Sequence, residues 1–256
     1  MTGTGERTAR RVALVTGGGG GIGSAVSRRL AHEGTAVAVV DRDRAAQEVA
    51  ADIRGSGGHA EAFLCDVSDE NDVQATVKAV VSRLGDITDV CCVAGSIQRG
   101  TVKDLSLESW HRTLADNVDS VFLVCRAVIP LMEQVGGGRI VTVASGWGLR
   151  AGKAAAAYCT AKAGVVMLTH AMALDHSPAG IRVNCVAPGD TRTPMLAREA
   201  RQLGQSDEEF LAEAADRPAR RIGMPEDIAA AVAFLAGPDA DYVTGAVLTV
   251  DGGGSI

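Results

Sequence analysis

The amino-acid sequence predicts an α/β fold in which one parallel sheet of about seven strands is wound with helices on both faces. Three observations lead to this prediction. Short apolar runs rich in β-branched residues alternate along the chain with longer amphipathic stretches. Apolar runs separated by helices are typical of strands buried on both faces of a parallel sheet. The 256 residues contain no internal repeat and no Pro/Ser-rich linker, so we expect one domain, residues 1–256.

The predicted elements follow one another in strand–helix order. Strands are predicted at residues 12–16, 36–40, 60–65, 89–93, 139–144, 181–187 and 247–250. Helices are predicted at residues 22–33, 44–54, 70–84, 107–132, 154–175 and 225–235. An arginine-rich stretch, residues 191–223, interrupts this alternation. We expect it to form a small helical substrate lid over the carboxyl ends of the strands, where such sheets bind ligands. A solvated helical excursion is the alternative.

Charge and composition exclude several classes of protein. The net charge is −6, whereas a nucleic-acid-binding protein needs a basic face. Residues 1–11 are polar, no apolar segment follows them, and no apolar run reaches about 18 residues, so neither a signal peptide nor a membrane span is predicted. The six cysteines lack metal-type spacing, and we expect no metal site and a reducing cytoplasm. Cys159 as a reactive thiol beside Tyr158 is a minor alternative.

A glycine-rich turn follows the first predicted strand and opens a helix. The glycines at residues 17–21 and 23 allow a tight turn and a close approach of backbone to a pyrophosphate. The start of the helix then presents N–H groups and a positive dipole end. Gly18, Gly20 and Gly23 fit the pattern G-x-G-x-x-G, although so many glycines leave the register open. The turn predicts a dinucleotide site.

Acidic residues end the next two strands. At the end of the second strand, the Asp41 carboxylate can accept hydrogen bonds from ribose hydroxyls and would repel a 2′-phosphate, which favours NAD over NADP. Arg42 and Arg44 could turn towards such a phosphate, so NADP stays the less favoured alternative. Asp66 ends the third strand, at the edge of the sheet where the adenine is expected. A turn or helix N-cap role for Asp66 is the alternative.

Tyr158 and Lys162 lie four residues apart in a predicted helix, so their side chains share one face. An ammonium beside a phenol favours the phenolate and lowers the phenol pKa from its ordinary value near ~10. We therefore expect Tyr158 to exchange a proton near neutral pH. The spacing is common in helices, and two unrelated surface side chains are the alternative.

With these motifs in place, the chain resembles the short-chain dehydrogenase/reductase family from about residue 11 to residue 254. The nucleotide loop of the family, Thr-Gly-x-x-x-Gly-x-Gly, matches Thr16, Gly17, Gly21 and Gly23. The active-site positions of the family match, in chain order, Asn117, Ser145, Tyr158 and Lys162. Later motifs match Asn184, Pro188, Gly189, Thr193, Pro194, Met195 and residues 251–253. The joint order and spacing of these motifs are highly specific.

The segment after the fourth strand departs from the family pattern. The family often has Asn-Asn-Ala-Gly there, whereas this chain has Cys92, Val93, Ala94 and Gly95. Ala94 and Gly95 still allow a close approach of the cofactor. The side-chain amides of the two asparagines, which this chain lacks, usually tie neighbouring strands together. We therefore expect an effect on stability or geometry rather than loss of activity.

A second departure follows Pro188 and Gly189. The chain continues with Asp190, Thr191 and Arg192, where the family commonly has an aliphatic middle residue. The backbone of Thr191 could still meet the nicotinamide carboxamide. Asp190 and Arg192 could tune the substrate pocket or the lid.

The resemblance implies a Rossmann-type fold and an NAD(H)-dependent oxidoreductase that interconverts a secondary alcohol and a ketone by hydride transfer. It implies that Tyr158 is the general acid/base, that Ser145 donates a hydrogen bond to the reacting oxygen, and that Asn117 keeps a water beside Lys162. Lys162 would also hold the nicotinamide ribose. The alternatives are a turn residue for Ser145 and a helix-kink or capping residue for Asn117. The implied cofactor site comprises Thr16, Gly17, Gly21, Ile22, Gly23, Asp41, Asp66, Val67, Ala94, Gly95, Tyr158, Lys162, Pro188, Gly189, Thr191 and Thr193.

The substrate is less clearly indicated. We expect its walls at residues 96–102, 146–153 and 191–223, with an apolar side at Trp147 and Leu149. Positive charges that could attract a carboxylate are Arg99, Arg150 and Lys153. The partner is expected to be a small alcohol or ketone, and family members are usually homotetramers. Alternatives are a dihydrodiol dehydrogenase, a 3-oxoacyl thioester reductase, an epimerase or dehydratase, and a non-catalytic dinucleotide-binding regulator.

Overall fold

The structure, a computed structural model, describes residues 10–256. The polar segment predicted at residues 1–11 lies outside the described residues except for its last two. Seven strands form one sheet in the order β3-β2-β1-β4-β5-β6-β7, and all neighbouring strands are parallel. They are β1 Val12–Thr16, β2 Ala36–Asp41, β3 Ala60–Leu64, β4 Asp89–Cys92, β5 Gly138–Val143, β6 Ile181–Pro188 and β7 Val247–Val250. The predicted fold class is confirmed.

Helices cover both faces of the sheet. They are α1 Gly21–His32, α2 Ala45–Gly55, α3 Glu70–Leu84, α4 Leu107–Leu114, α5 Ser120–Gln134, α6 Ala156–His176, α7 Pro194–Leu203, α8 Asp207–Ala215 and α9 Pro225–Ala236. One hydrophobic core lies between the sheet and α3, α5 and α6. The other lies between the sheet and α1, α2 and α9. Among the helices of residues 10–256, none is long and apolar enough to cross a membrane.

Two predicted helices differ from the structure. The helix predicted at residues 107–132 is divided into α4 and α5 by a π-helical turn, Ala115–Asp119. Within that turn, Asn117 Nδ2 donates to the carbonyl oxygen of Thr113 at 2.8 Å, so the side chain competes with the backbone ladder. The helix predicted at residues 154–175 begins later, at Ala156. Ala154 has a φ of 46°, which a right-handed helix does not accommodate.

Residues 191–223, called the lid segment below, contain the two short helices α7 and α8. Each begins at a hydroxyl cap, Thr193 for α7 and Ser206 for α8. A small apolar cluster of Leu196, Ala214 and Ile222 holds the helices together. Both ends of the segment meet in a parallel bridge between Thr191 and Gly223. The parallel bridge therefore closes the lid segment into a loop, and two residues separate this loop from the end of β6.

Candidate active site

The glycine-rich turn opens into a cleft of about 310 Å³ at the carboxyl ends of the strands. Gly20 is the N-cap of α1, and within the described chain α1 has neither a side-chain cap nor an acidic residue in its first turn. By contrast, α3 is capped by Asp69 and α4 by Ser106. The first N–H groups of α1 and its positive dipole end are thus left for an anion. This arrangement fits the pyrophosphate of a dinucleotide.

Close backbone packing in the turn requires glycine at two positions. A Cβ added at Gly23 would lie 2.0 Å from the carbonyl oxygen of Gly17. Gly17 has a φ of 63°, and a Cβ there would lie 2.8 Å from the Cα of Ala94. The turn after β1 is therefore in direct contact with the segment after β4. Such a cradle of bare backbone is what a dinucleotide requires for close approach, so these residues fit that group.

The acidic residues at the ends of β2 and β3 both line the cleft. Asp41 Oδ2 accepts a hydrogen bond from the backbone N of Gly19 at 2.9 Å, so Asp41 also anchors the glycine-rich turn. Asp66 Oδ1 accepts from the Ser68 hydroxyl at 2.6 Å and from the Ser68 backbone N at 2.9 Å. These bonds lower the pKa of Asp66. The turn role and the cleft position predicted as alternatives for Asp66 occur together.

Positive charges also line this end of the cleft. Arg42 lies there, as predicted, and Arg198 of α7 joins it from the lid segment. Arg44, the other candidate for a phosphate, does not line the cleft and is instead the N-cap of α2. Sequence reasoning missed Arg198 because its place at the cleft depends on how the lid segment folds back.

Thr16 does not line the cleft, in contrast to the cofactor contact that was expected. It is buried, and its Oγ1 accepts hydrogen bonds from the backbone N of Val93 at 3.0 Å and of Ala94 at 3.2 Å. Thr16 therefore ties β1 to the segment after β4, where the family pattern would supply amide side chains.

The cysteines serve packing. Cys92 is buried beside Cys125, and the interaction between their thiols, together with burial, raises the pKa of Cys92. Cys159 is half-buried, and its Sγ accepts a hydrogen bond from the backbone N of Gly152 at 3.3 Å. Within residues 10–256, no group of three or more His, Cys, Asp or Glu side chains is arranged to hold a metal ion.

A smaller pocket of about 120 Å³ adjoins the cleft. Both are lined by Ile22, Val93, Gly95, Thr193 and Met195, so the two cavities are continuous. Of the predicted cofactor residues, the cleft is lined by Gly17, Gly21, Ile22, Gly23, Asp41, Asp66, Val67, Ala94, Gly95 and Thr193. The pocket is lined by Tyr158, Lys162, Pro188, Gly189 and Thr191, and also by Ser145.

The structure brings Asn117 and Lys162 together at Gly95. A Cβ added at Gly95 would lie 2.6 Å from Asn117 Oδ1 and 3.2 Å from Lys162 Nζ. The Nδ2 of Asn117 donates to the carbonyl oxygens of Ser96 and Thr113, while its buried Oδ1 has no partner among residues 10–256. Lys162 is 4% exposed, and its Nζ donates to the carbonyl oxygen of Val143 at 3.0 Å.

Ser145 and Tyr158 face the same pocket. Ser145 Oγ accepts a hydrogen bond from the backbone N of Trp147 at 3.1 Å, so Ser145 caps the short 3₁₀ turn that follows β5. Because Oγ accepts there, its own O–H is left to donate elsewhere. The rings of Trp147 and Tyr158 meet edge to face, with centroids 6.2 Å apart. Lys162 Nζ lies 5.8 Å from the centroid of the Tyr158 ring.

Burial is the largest influence on the pKa values of Tyr158 and Lys162. It raises the pKa of Tyr158 well above its ordinary value, against the opposing effect of the Ser145 hydroxyl, and the negative charges of Glu199 and Asp190 add to the rise. Burial also lowers the pKa of Lys162 to about 8. The prediction that the pKa of Tyr158 lies below its ordinary value is therefore wrong for this structure. Removing water favours the neutral form of each group, so Tyr158 is a protonated phenol at neutral pH.

The three segments expected to form the substrate walls each contribute. Ile97 and Trp147 line the pocket, and the lid segment adds an apolar face with Met195 and Leu196. Leu149, which was expected on the apolar side, is exposed instead.

The predicted cations behave differently from one another. Arg150 lines the pocket, whereas Arg99 and Lys153 do not. Asp190 lines it and forms an ion pair with Arg217, while Arg192 is exposed.

Sequence reasoning missed Glu199 of α7. This carboxylate lines the pocket and is paired with Arg99, with Nη1 and Oε1 2.6 Å apart. One signal in the sequence could have found it. Glu199 falls on the same helical face as Leu196 and Ala200, both buried, so an acidic residue stands in an apolar stripe.

Comparison with known proteins identifies clear relatives. A family model described as enoyl-(acyl carrier protein) reductase matches residues 17–255. The 2,5-dichloro-2,5-cyclohexadiene-1,4-diol dehydrogenase of Sphingobium indicum is 35% identical over 252 residues, which cover 98% of each chain.

Two solved structures are also close. A variant of actinorhodin polyketide ketoreductase with NADPH has a TM-score of 0.93 and 36% identity, covering 96% of this chain and 97% of the other. NAD⁺-bound xylitol dehydrogenase has a TM-score of 0.90 and 35% identity, covering 96% of this chain and 100% of the other.

Proposed function

The chain belongs to the short-chain dehydrogenase/reductase family of oxidoreductases, and from that premise we propose that it interconverts a secondary alcohol and a ketone with NAD(H), using Tyr158 as the general acid/base. The observation that carries this proposal is the convergence of four side chains at the junction of the cleft and the pocket. Ser145, Tyr158 and Lys162 line the pocket, and Asn117 Oδ1 meets Lys162 beside Gly95. A regulator without catalysis would not need this convergence.

The cofactor would be held along the cleft. A bound nicotinamide dinucleotide supplies or accepts the hydride. The glycine-rich turn and the uncapped start of α1 are suited to its pyrophosphate. Asp41, which lines the cleft, supports NAD over NADP because a carboxylate there repels a 2′-phosphate. Relatives with bound NAD⁺ and with NADPH are both known, and Arg42 and Arg198 keep NADP as the less favoured alternative.

Proton transfer rests on Tyr158 and Lys162. In ketone reduction, the protonated phenol of Tyr158 would donate its proton to the developing alkoxide, and the O–H of Ser145 would donate a hydrogen bond to the same oxygen. In alcohol oxidation, the phenol of Tyr158 would first release its own proton through a water beside Asn117 and Lys162. The resulting phenolate, stabilised by the ammonium of Lys162, would then accept the hydroxyl proton of the substrate. Asn117 Oδ1, buried next to Lys162, is suited to hold a water that passes the proton onwards.

The lid segment and the assembly complete the proposal. Residues 191–223 supply one wall of the pocket, which supports a role as a substrate lid within a single catalytic domain, residues 1–256. We also propose a cytoplasmic homotetramer. Exposed apolar side chains on α5 and α6, namely Phe122, Met167 and Leu174, support association between subunits. Light scattering of the purified protein tests the subunit number.

The central experiment replaces Tyr158. Secondary alcohols and ketones are screened with both cofactors at the nicotinamide absorbance, and the best substrate is then used with Tyr158→Phe. We expect turnover to fall by about 10²–10⁴-fold, the range for loss of a general acid/base. The matched control is Tyr242→Phe, since Tyr242 is the other tyrosine of the chain and is fully exposed. Wild-type turnover by Tyr158→Phe would refute the assigned role.

A further inference from the structure

The pocket beside Tyr158 is lined by two carboxylates from the lid side, Glu199 and Asp190. Each has one oxygen occupied by an arginine. Arg99 donates to Glu199 Oε1 at 2.6 Å, and Arg217 pairs with Asp190 Oδ2. Glu199 Oε2 and Asp190 Oδ1 accept no hydrogen bond from residues 10–256, and neither oxygen is fully buried. Two acceptor oxygens are therefore left for a ligand.

The arginine partner of Glu199 lies outside the pocket and bonds through its two terminal nitrogens, while its buried Nε has no partner among residues 10–256. Besides Glu199, Arg99 donates to the carbonyl oxygen of Lys153 at 2.8 Å and lies 4.9 Å from the centroid of the Trp147 ring. Its side chain is 12% exposed and does not line the pocket. Arg99 thus balances the negative charge of Glu199 from outside the pocket and presents no cation to the substrate. This reverses the sequence-based expectation that Arg99 attracts a carboxylate.

The electrostatic field inside the pocket is consistent with this arrangement. Glu199 is 5% exposed, burial raises its pKa, and the charge of Arg99 opposes that rise. The negative charges of Glu199 and Asp190 both act on Tyr158. Three cations line the pocket, and each has a partner of its own. Arg217 pairs with Asp190, Lys162 donates to the carbonyl oxygen of Val143, and the exposed Arg150 helps to lower the pKa of Asp251.

We propose that Glu199 accepts a hydrogen bond from a second hydroxyl of the substrate, so that the enzyme acts on diols or polyols in preference to mono-alcohols and hydroxy acids. A buried carboxylate oxygen is a strong acceptor for a hydroxyl and repels a substrate carboxylate. The small volume of about 120 Å³, with Trp147, Met195 and Leu196 as apolar walls, suits a compact carbon skeleton. This proposal rests on the proposed function, since it concerns the same pocket.

The experiment compares substrates that differ by one group. Cyclohexanol, the cyclohexane-1,2-, 1,3- and 1,4-diols, and 4-hydroxycyclohexanecarboxylate are assayed with wild type and with Glu199→Gln. We expect wild type to prefer at least one diol over cyclohexanol by about tenfold or more in kcat/KM, because a site built to bond a hydroxyl rejects the analogue that lacks it. Glu199→Gln should lose that preference, mainly through KM, while its relative rate with the hydroxy acid rises.

Two further variants separate recognition from folding. Glu199→Asp keeps the charge and should keep part of the diol preference and the rejection of the hydroxy acid. Glu208→Gln, an exposed position on α8, should match wild type. If Glu199→Gln slows cyclohexanol and the diols in parallel, Glu199 only holds α7 in place and the proposal is overturned. The preference of wild type for a diol over cyclohexanol can be measured even if a variant fails to fold.

The outcomes also separate this proposal from the proposed function. A wild-type protein that oxidises cyclohexanol but shows no preference for any diol overturns the role of Glu199 alone. A wild-type protein that turns over none of these alcohols, and none of the secondary alcohols and ketones of the wider screen, with either cofactor overturns the proposed function and the role of Glu199 with it.

Discussion

The cofactor cleft and the substrate pocket are adjacent but are built in different ways. The cleft is shaped by backbone, where Gly17 and Gly23 pack against each other and against the segment at Ala94. The pocket is shaped by ion pairs between residues far apart in the chain, such as Arg99 with Glu199. A site made of backbone tolerates little change, whereas a site made of side chains can be altered one pair at a time. This difference explains how one cofactor site can serve many substrates.

Lys162 and Tyr158 line the pocket, and Lys162 Nζ lies beside Gly95, a residue that lines both the pocket and the cleft. Their environment is fixed by burial rather than by either set of contacts. Backbone packing in the cleft, ion pairing at the pocket and burial of Lys162 can each be changed by a single substitution.

The largest effect is expected from Gly23→Ala. The added Cβ would lie 2.0 Å from the carbonyl oxygen of Gly17, so the turn must move. We expect a loss of at least about 3 kcal/mol, in stability or in NADH affinity. Calorimetric titration with NADH and thermal unfolding measure both. In the control, Gly55→Ala, the added Cβ meets no atom of residues 10–256 within 4 Å, and the variant should behave as wild type. Wild-type NADH affinity in Gly23→Ala would show that backbone packing does not shape the cleft.

An effect of at most the same size, confined to the pocket, is expected from Arg99→Met. The change leaves the buried carboxylate of Glu199 without its cation, which we expect to cost about 3 kcal/mol in urea unfolding. NADH affinity should hardly change, while KM for the substrate rises. The matched control is Arg28→Met, which breaks the exposed pair with Asp52 and should cost less than about 1 kcal/mol. Equal losses in the two variants would mean that burial of the Arg99 pair has no special weight.

Lys162→Met tests the free-energy cost of burying a lysine charge at the junction of the cleft and the pocket. The folded state lowers the pKa of Lys162 from 10.5 to about 8, so below pH 8 the native protein bears the cost of a buried charge. Between about pH 8 and 10.5 the unfolded state holds the extra proton, and wild-type stability should rise with pH relative to the variant.

At pH 7 we expect Lys162→Met to be more stable than wild type by about 2 kcal/mol, after the lost hydrogen bond to Val143 is counted. That gain should shrink above pH 8. Urea unfolding from pH 6 to pH 10 measures it. A variant that is less stable than wild type at every pH would show that Lys162 is not strained by burial.

The smallest effect is expected from Asp41→Asn. The amide oxygen can still accept the hydrogen bond from Gly19 and keep the turn, but the negative charge is lost. We expect the ratio of kcat/KM for NADPH to that for NADH to rise by about tenfold, since repulsion of a 2′-phosphate disappears. The exposed Glu48→Gln on α2 serves as the control. An unchanged ratio would remove the electrostatic basis for NAD preference.

Local signals explain why much of the fold could be predicted. All seven strands were found within one or two residues at their ends, because apolar β-branched runs and helical periodicity are local properties. A helix kink at Asn117 was only an alternative, and the division of the predicted helix 107–132 by a π-helical turn was not predicted. It depends on a side-chain hydrogen bond to Thr113, and a continuous apolar periodicity gives no sign of it.

By itself, the sequence determined the strand order along the chain, the glycine-rich turn and the spacing of Tyr158 and Lys162. Only the tertiary structure decided that Thr16 ties two strands, that Glu199 enters the pocket, and that burial raises the pKa of Tyr158. The reason is physical. Backbone preference and periodicity act over a few residues, whereas burial, the pairing of charges about a hundred residues apart and the resulting pKa values depend on every element packed around the site.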